Sequence, residues 1–359
     1  MLVQFLIPYQ LSPSQLDSYL AQAWFRAGAT NMLYKSKLIC ANGQLYSLIN
    51  TRLALENYTY SKSLRKILKN GLQNFSYKIQ AASVDSQRER LYQLHKKRFM
   101  GYVMPSLESF FEQSSPFQTC EVAIFDKKKL VALSFFDVGS DSVASLLGLF
   151  DSQYASHSLG MLSMLLEIGY SLENQKKYYY PGYVLHRPSV FDYKFRLGKL
   201  DFYDWKSKNW SPDFPKSVQL ADLLLQKISS AQEVLLENQI NSNQVFYPPF
   251  SLGYLSQYAD FLVSGSVFLL LSQRPNLWLS ALILEYVFEK NCYRLSVVHH
   301  CQDFAISSFD YQDQTNQNYY LEVLSYDRIV IEDQNITKIL PKIVENLALS
   351  YFEKIKNIA

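Results

Sequence analysis

Apolar and polar positions follow two periods along this chain, and the change from one to the other marks most of its elements. In "LSPSQLDSYLAQAWFRAG", Leu16, Tyr19, Leu20, Ala23, Trp24 and Ala27 recur at helical spacing. Ser12 as cap, Pro13 at the first helical position and Gln15 three residues after the cap predict its start, and Gly28 its stop. Short alternating runs over 31–49 read as strands. "TYSKSLRKILKNGLQNFSYKIQAAS" predicts a basic turn of helix, a break at Gly71 and then a strand. "SQRERLYQLHKKRFMGYV" predicts a helix with Leu91 and Leu94 inward and Arg88, Lys96, Lys97 and Arg98 outward.

The pattern is most regular between Cys120 and Tyr183. Strands are expected over 121–125, 130–136 and 142–150, and their connections are too short for anything but an antiparallel meander. "DSQYASH" then leads into an apolar helix over 159–172, and "KYYYPGYVL" resumes as a strand. Meander, helix and parallel strand predict an α/β layer with a mixed sheet, of acyltransferase type. Beyond Pro215, "SVQLADLLLQKISSAQEVLLENQI" reads as a helix and "NLWLSALILEYVFEK" as a helix or a strand. "YRLSVVHHCQDFAISSF" and "YYLEVLSYDRIVIE" read as strands, and "KILPKIVENLALSYFEKI" as a terminal helix despite Pro341. The expected organisation is an N-terminal α/β domain over 1–115 with a basic surface, a transferase core over 116–215 and an accessory region over 216–359.

Composition changes this picture in three places. A chain of 359 residues with 48% apolar side chains has ample material for packed cores. The net charge of +3 is too small to argue for nucleic acid by itself, yet Thr59 to Phe99 holds ten Lys/Arg against two acids. That stretch suits an RNA backbone, or is a solvated helix face. Cys40, Cys120, Cys292 and Cys301 are scattered without a CxxC, so neither a disulfide framework nor a zinc site is expected. The apolar runs at the N-terminus and over 261–273 are too short for a signal peptide or a membrane span, which makes a cytoplasmic protein the expectation.

Two stretches offer chemistry. Ser158, Leu159 and Gly160 open the apolar helix, where unpaired amides and a missing side chain suit a phosphate or a developing negative charge. In "YYYPGY", alternation sends Tyr178 and Tyr180 one way and Tyr179 the other, and Pro181-Gly182 interrupts pairing. The result is an opened sheet or an ordinary bulged strand end. Tyr193 and Lys194 follow closely, with Asp192 available to pair with Lys194 or Arg196. Glu167 is expected on the helix surface, and the adjacent His299 and His300 point to opposite faces of a strand, so no metal site is assigned.

Together these residues resemble the core of the aminoacyl-tRNA–protein transferases, which include arginyl-tRNA–protein transferases and bacterial leucyl transferases acting on acidic N-termini. The matching pieces are the Ser158-Leu159-Gly160 helix opening, Tyr180-Pro181-Gly182-Tyr183, the Tyr193-Lys194 pair and the closing Trp205. Upstream, Ser61, Ser63, Arg65 and Lys66 match a basic S-x-S-x-R-R stretch, and Tyr92 and Arg98 an L-Y…R-H helix with Phe99 in place of histidine. The resemblance covers about Leu11 to Trp210. The family's N-terminal cysteine cluster is reduced to Cys40, and "WFRAGATN" replaces its G-F-R-R.

The resemblance implies a GNAT-like core and transfer of an amino acid from aminoacyl-tRNA to the free N-terminus of an acceptor protein, acidic in the family. No cofactor is expected, because the cysteines that the family ties to metal or cluster binding are reduced to Cys40. The ester is already activated and an α-amine has a pKa of about 7.7–8.0, so orientation, oxyanion stabilisation and proton removal suffice. It places the tRNA on Lys62, Arg65, Lys66, Lys69, Lys96 and Lys97, and the reacting ester at Ser158, Leu159 and Gly160. Tyr180, Tyr183 and Lys194 then line the transfer point, with Arg65, Tyr92, Arg98 and Tyr193 as substrate contacts. A coenzyme A-dependent N-acyltransferase and a non-catalytic peptide- or RNA-binding module are the alternatives; "ASHSLGML" lacks the glycine-rich loop of the former.

Overall fold

The computed structural model describes residues 2–26, 31–99, 102–111, 115–215, 219–251, 261–272, 280–301, 310–311 and 318–356. The chain forms two compact units: Phe5–Lys35 with Leu48–Ser217, and Met1–Gln4 with Ser36–Ser47 and Val218–Ala359.

The first unit is built on one large mixed sheet. In chain order its strands are β1 (Gln44–Ala54, of which 48–54 fall in this unit), β2 (Ser76–Ala81), β3 (Thr119–Asp126), β4 (Lys129–Val138), β5 (Ser142–Phe150), β6 (Tyr178–Leu185), β7 (Leu200–Asp204) and β8 (Asn209–Ser211). They lie in the order β8-β7-β1-β6-β5-β4-β3-β2. All pairs are antiparallel except β5 with β6. The meander β3-β4-β5 therefore forms as its short connections require, and one helix carries the chain across to a parallel β6. This is the layout of a GNAT-like acyltransferase core.

Helix α1 (Pro13–Ala21) starts with the expected capping box, Ser12 accepting from Gln15 N while the Gln15 side chain accepts from Ser12 N. It stops earlier than its apolar spacing predicts. Ala23 turns to φ 61°, and Phe25-Arg26 leaves to pair as a strand with Leu33-Tyr34. The expected stop, Gly28, lies outside the described residues. Helix α2 (Lys62–Asn74) runs straight through Gly71. A Cβ there would stand 2.5 Å from Leu162 Cδ2, so this glycine is a point of close helix approach rather than a break.

On α3 (Ser86–Lys96), Leu91 is buried but Leu94 is exposed. Arg88 points inward instead, because the buried Glu121 on β3 takes its Nε at 2.9 Å and Asp85 also pairs with it. Helix α4 (Leu159–Glu173) is buried along most of its length and packs Leu159, Leu162, Leu165 and Ile168 into a core with Val122, Phe136, Val143 and Val184. A helix apolar on every side belongs inside a protein, and α4 does.

In the second unit, strands Asn243–Phe246, Val267–Leu270, Ala281–Val287, Cys292–His300 and Leu324–Asp333 form an antiparallel sheet in that order. Helices α5 (Leu220–Glu237) and α6 (Ile336–Lys356, containing Pro341) belong to this unit. The ambiguous "SALILEYV" stretch is thus strand over Ala281–Val287. His299 and His300 bond separately, to Ser325 Oγ and to Glu322, each at 2.9 Å. Among the described residues no helix is long and apolar enough to cross a membrane.

Candidate active site

The sheet opens between β5 and β6. They pair over only three positions, Ser142↔Tyr178, Val143↔Tyr179 and Ala144↔Tyr180. Beyond these, β5 shifts register against β4 between Ser145 and Leu147, and β6 shifts against β1 between Tyr179 and Gly182. The Pro181-Gly182 step produces that irregularity: Gly182 sits at φ +92°, and its carbonyl accepts from Thr51 Oγ1 at 2.9 Å.

One face of the opening is a shallow cleft. Trp24, Tyr180 and Trp210 line it together with Arg26, Asn50 and Ser145. Tyr180 packs on Trp210 with centroids 5.7 Å apart, and the Arg52 guanidinium lies over Tyr178 and Trp210 at 4.4 and 4.8 Å. Arg26 donates to Asp137 at 3.0 Å, and Thr119 Oγ1 donates to the same carboxylate oxygen at 2.6 Å. Burial raises the Asp137 pKa while Arg26 and Thr119 oppose the rise. Asn50 Nδ2 donates to Ala23 O at 3.0 Å, whereas its buried Oδ1 has no hydrogen-bond partner.

The other face is packed against α4. Tyr179, fully buried, points away from Tyr178 and Tyr180 and donates to Glu167 Oε2 at 2.6 Å. Glu167 is not the expected surface residue: its exposure is 0%. Burial raises its pKa to about 7, opposed only by the neighbouring Ser134, Tyr179 and Ser145 hydroxyls. Glu167 Oε1 and Ser134 Oγ close no hydrogen bond.

Lys194 is also buried, in the turn over Asp192–Leu197. Its ammonium donates to Tyr183 O at 2.8 Å, stands 5.2 and 5.0 Å from the Tyr183 and Phe191 ring centres, and would lie 3.3 Å from a Cβ at Gly182. Burial lowers its pKa to about 7. Asp192 does not pair with it but accepts from Ser189 Oγ at 3.1 Å. Burial also pushes the Tyr180 and Tyr183 hydroxyls up to about 12, so both remain neutral donors at physiological pH. Tyr193 is 41% exposed and within electrostatic reach of Glu167, Tyr179 and Tyr183.

At the head of α4, Ser158 takes a left-handed backbone (φ 54°, ψ 39°) and makes no side-chain cap. Its carbonyl instead accepts from Met161 N and Leu162 N at 3.0 and 2.9 Å. Leu159 is buried in the core, and a Cβ at Gly160 would meet only Phe150, at 3.7 Å. The Arg98 guanidinium lies over that same Phe150 ring at 4.6 Å, which puts a positive charge beside the helix head. Lys62, Arg65, Lys66 and Lys69 project from the outer side of α2, which holds no acid, and Phe75 at the end of α2 packs edge-on against His157, 5.2 Å away. Lys97 is exposed, and Lys96 reaches Pro105 O at 3.1 Å. Tyr92 joins none of these groups: it is fully buried and donates to Met104 O at 2.6 Å.

Residues 87–204, which span α3, the meander, α4 and the opened strand pair, match the family model "Arginine-tRNA-protein transferase, C terminus". That segment is similar to the aminoacyl-tRNA–protein transferases. The chain is 28% identical over 157 residues to an aspartate/glutamate leucyltransferase of Helicobacter hepaticus, covering 42% of this chain and 65% of that protein. It spans just under two thirds of that relative. An aspartate/glutamate leucyltransferase of Leptospira interrogans is 24% identical over 203 residues, covering 52% of this chain and 76% of its own. Among solved structures, L-PGS from Bacillus licheniformis aligns at TM-score 0.32 and 11% identity over 41% of this chain and 52% of that one.

The sequence pattern does not announce the burial of Glu167, the open Asn50 carbonyl or the Arg26–Asp137 pair. A lone acid inside "MLSMLLEIGY" was the available signal, since that helix has no polar face for it to occupy. Arg26 and Asp137 stand 111 residues apart, and no local spacing announces such a pair.

Proposed function

We propose that this protein transfers an amino acid from aminoacyl-tRNA to the N-terminal α-amine of an acceptor protein. The observation that carries the reading is the coincidence of the family-matched segment with a strand pair that parts beside an uncapped helix head. The basic face of α2, with Arg98, Lys96 and Lys97, takes the acceptor arm, and its 3′ end reaches Ser158–Gly160. The amine meets the ester in the opening. There Tyr180, Tyr183 and the Lys194 ammonium are the donors available to a developing oxyanion. The relatives' names favour leucine as donor and a leading Asp or Glu as acceptor.

Extension of Asp- and Glu-start peptides by the purified chain, across a panel of charged tRNAs, tests this directly. One donor is expected to give product, and no product with any donor would overturn the reading. Charge reversal at Lys62, Arg65 and Lys66 should weaken aminoacyl-tRNA binding and flatten its salt dependence, by roughly 0.7–0.9 log units per lost phosphate contact. Unaltered affinity would remove α2 from the tRNA site.

A further inference from the structure

The opening joins the two faces of the sheet at one residue. Ser145 is the first position of β5 beyond the last β6 pairing, beside the register shift. It lines the cleft, while its half-buried hydroxyl lies against both Glu167 and Tyr179 on the α4 face. The Glu167 carboxylate is fully enclosed, with one oxygen held by Tyr179 and the other unpartnered. A buried acid satisfied only by hydroxyls is costly to keep ionised and is not needed to hold a helix whose other contacts are apolar.

We propose, on the basis of the transfer reaction above, that Glu167 is the proton acceptor of that reaction, reached through Ser145 and held in place by Tyr179. The amine nitrogen forms the new C–N bond and the carbonyl–ribose C–O bond breaks. The proton shed by the amine passes by way of the Ser145 hydroxyl to the Glu167 carboxylate. The ribose oxygen leaves with one proton, returned from Glu167 along the same route, so that none is consumed overall. Glu167 acts through Ser145 and is in that sense a positioning residue.

The groups facing Glu167 suit this role. They are Tyr179 from β6, Tyr193 from the following turn, Ser134 from β4 and Ser145 from β5, all neutral near pH 7. Lys194, turned to Tyr183 O, does not figure among them. With a pKa of about 7, Glu167 exchanges a proton readily in the range where an α-amine becomes nucleophilic.

The test is single-turnover peptide extension from pH 5.5 to 9 by the full chain, using the charged tRNA active in the panel, with aminoacyl-tRNA affinity measured in parallel. Glu167→Gln keeps the shape and the Tyr179 contact but takes no proton. It should slow transfer about 100-fold, leave only the rise in rate set by the α-amine at about 7.7–8.0 and keep tRNA affinity unchanged. A Gln variant with a rate within about threefold of wild type and the same pH profile overturns the proposal. If that variant does not fold, Ser145→Ala decides, because an unchanged rate and profile there equally overturn the relay. Wild-type protein that extends no peptide defeats the transfer reading and the proposal with it, whereas an active wild type with an indifferent Gln variant defeats the proposal alone.

Discussion

Glu167 and Asp137 are buried carboxylates of the same unit, on opposite faces of one sheet, and they are stabilised in different ways. Asp137, on the cleft face, meets a guanidinium and a threonine hydroxyl. Glu167, on the α4 face, meets only hydroxyls. A carboxylate tied to a buried arginine has a charged partner that opposes the upward push of burial, and it fastens Phe25-Arg26 to the meander. One surrounded by hydroxyls is free to change protonation state. Burial alone therefore does not mark a group as chemical; the charge of what it is buried against does.

The largest test of this contrast removes one side of the ion pair. Asp137→Ala removes the carboxylate from the buried Arg26 and should cost about 3–5 kcal/mol in denaturant unfolding. Replacing Arg26 and Asp137 together with Met and Leu should recover most of that loss. A cheap Asp137→Ala would erase the distinction drawn here.

Next in size is the pH dependence of stability. The folded protein holds the Glu167 proton up to about pH 7 while the unfolded chain releases it near 4.5. The native state thus binds the extra proton between those values, and the stability it lends is lost as pH rises through the window, by about 3 kcal/mol. Glu167→Gln should melt higher than wild type at pH 8 and close to it at pH 4.5. Equal melting temperatures at both values would mean that the carboxylate is already ionised at low pH.

The smallest expected change lies outside the pair. Gly71→Ala drives a methyl group into Leu162, where a flexible side chain can partly yield, and should cost about 1–3 kcal/mol without altering the pH dependence. A neutral or stabilising substitution would instead show that Leu162 does not crowd this position.

What could be read beforehand follows the same division between local and distant causes. The meander, α4 and the tyrosine alternation were legible because short connections and period-two spacing act within a few residues. Gly71 misled because a stop glycine and a packing glycine look alike until the partner helix is known. Leu94 and Arg88 exchanged faces because Glu121, 33 residues away, supplied an acid that the α3 pattern does not contain. The cleft was invisible for the same reason, since Asn50 and Arg26 reach it from separate strands.

The bare contact at Gly71 also couples parts that seem independent. With no side chain between them, α2 and α4 rest backbone to side chain, and the far end of α2 abuts His157 just ahead of the α4 start. The basic surface and the helix head are consequently held at a fixed separation, about 20 Å along α2.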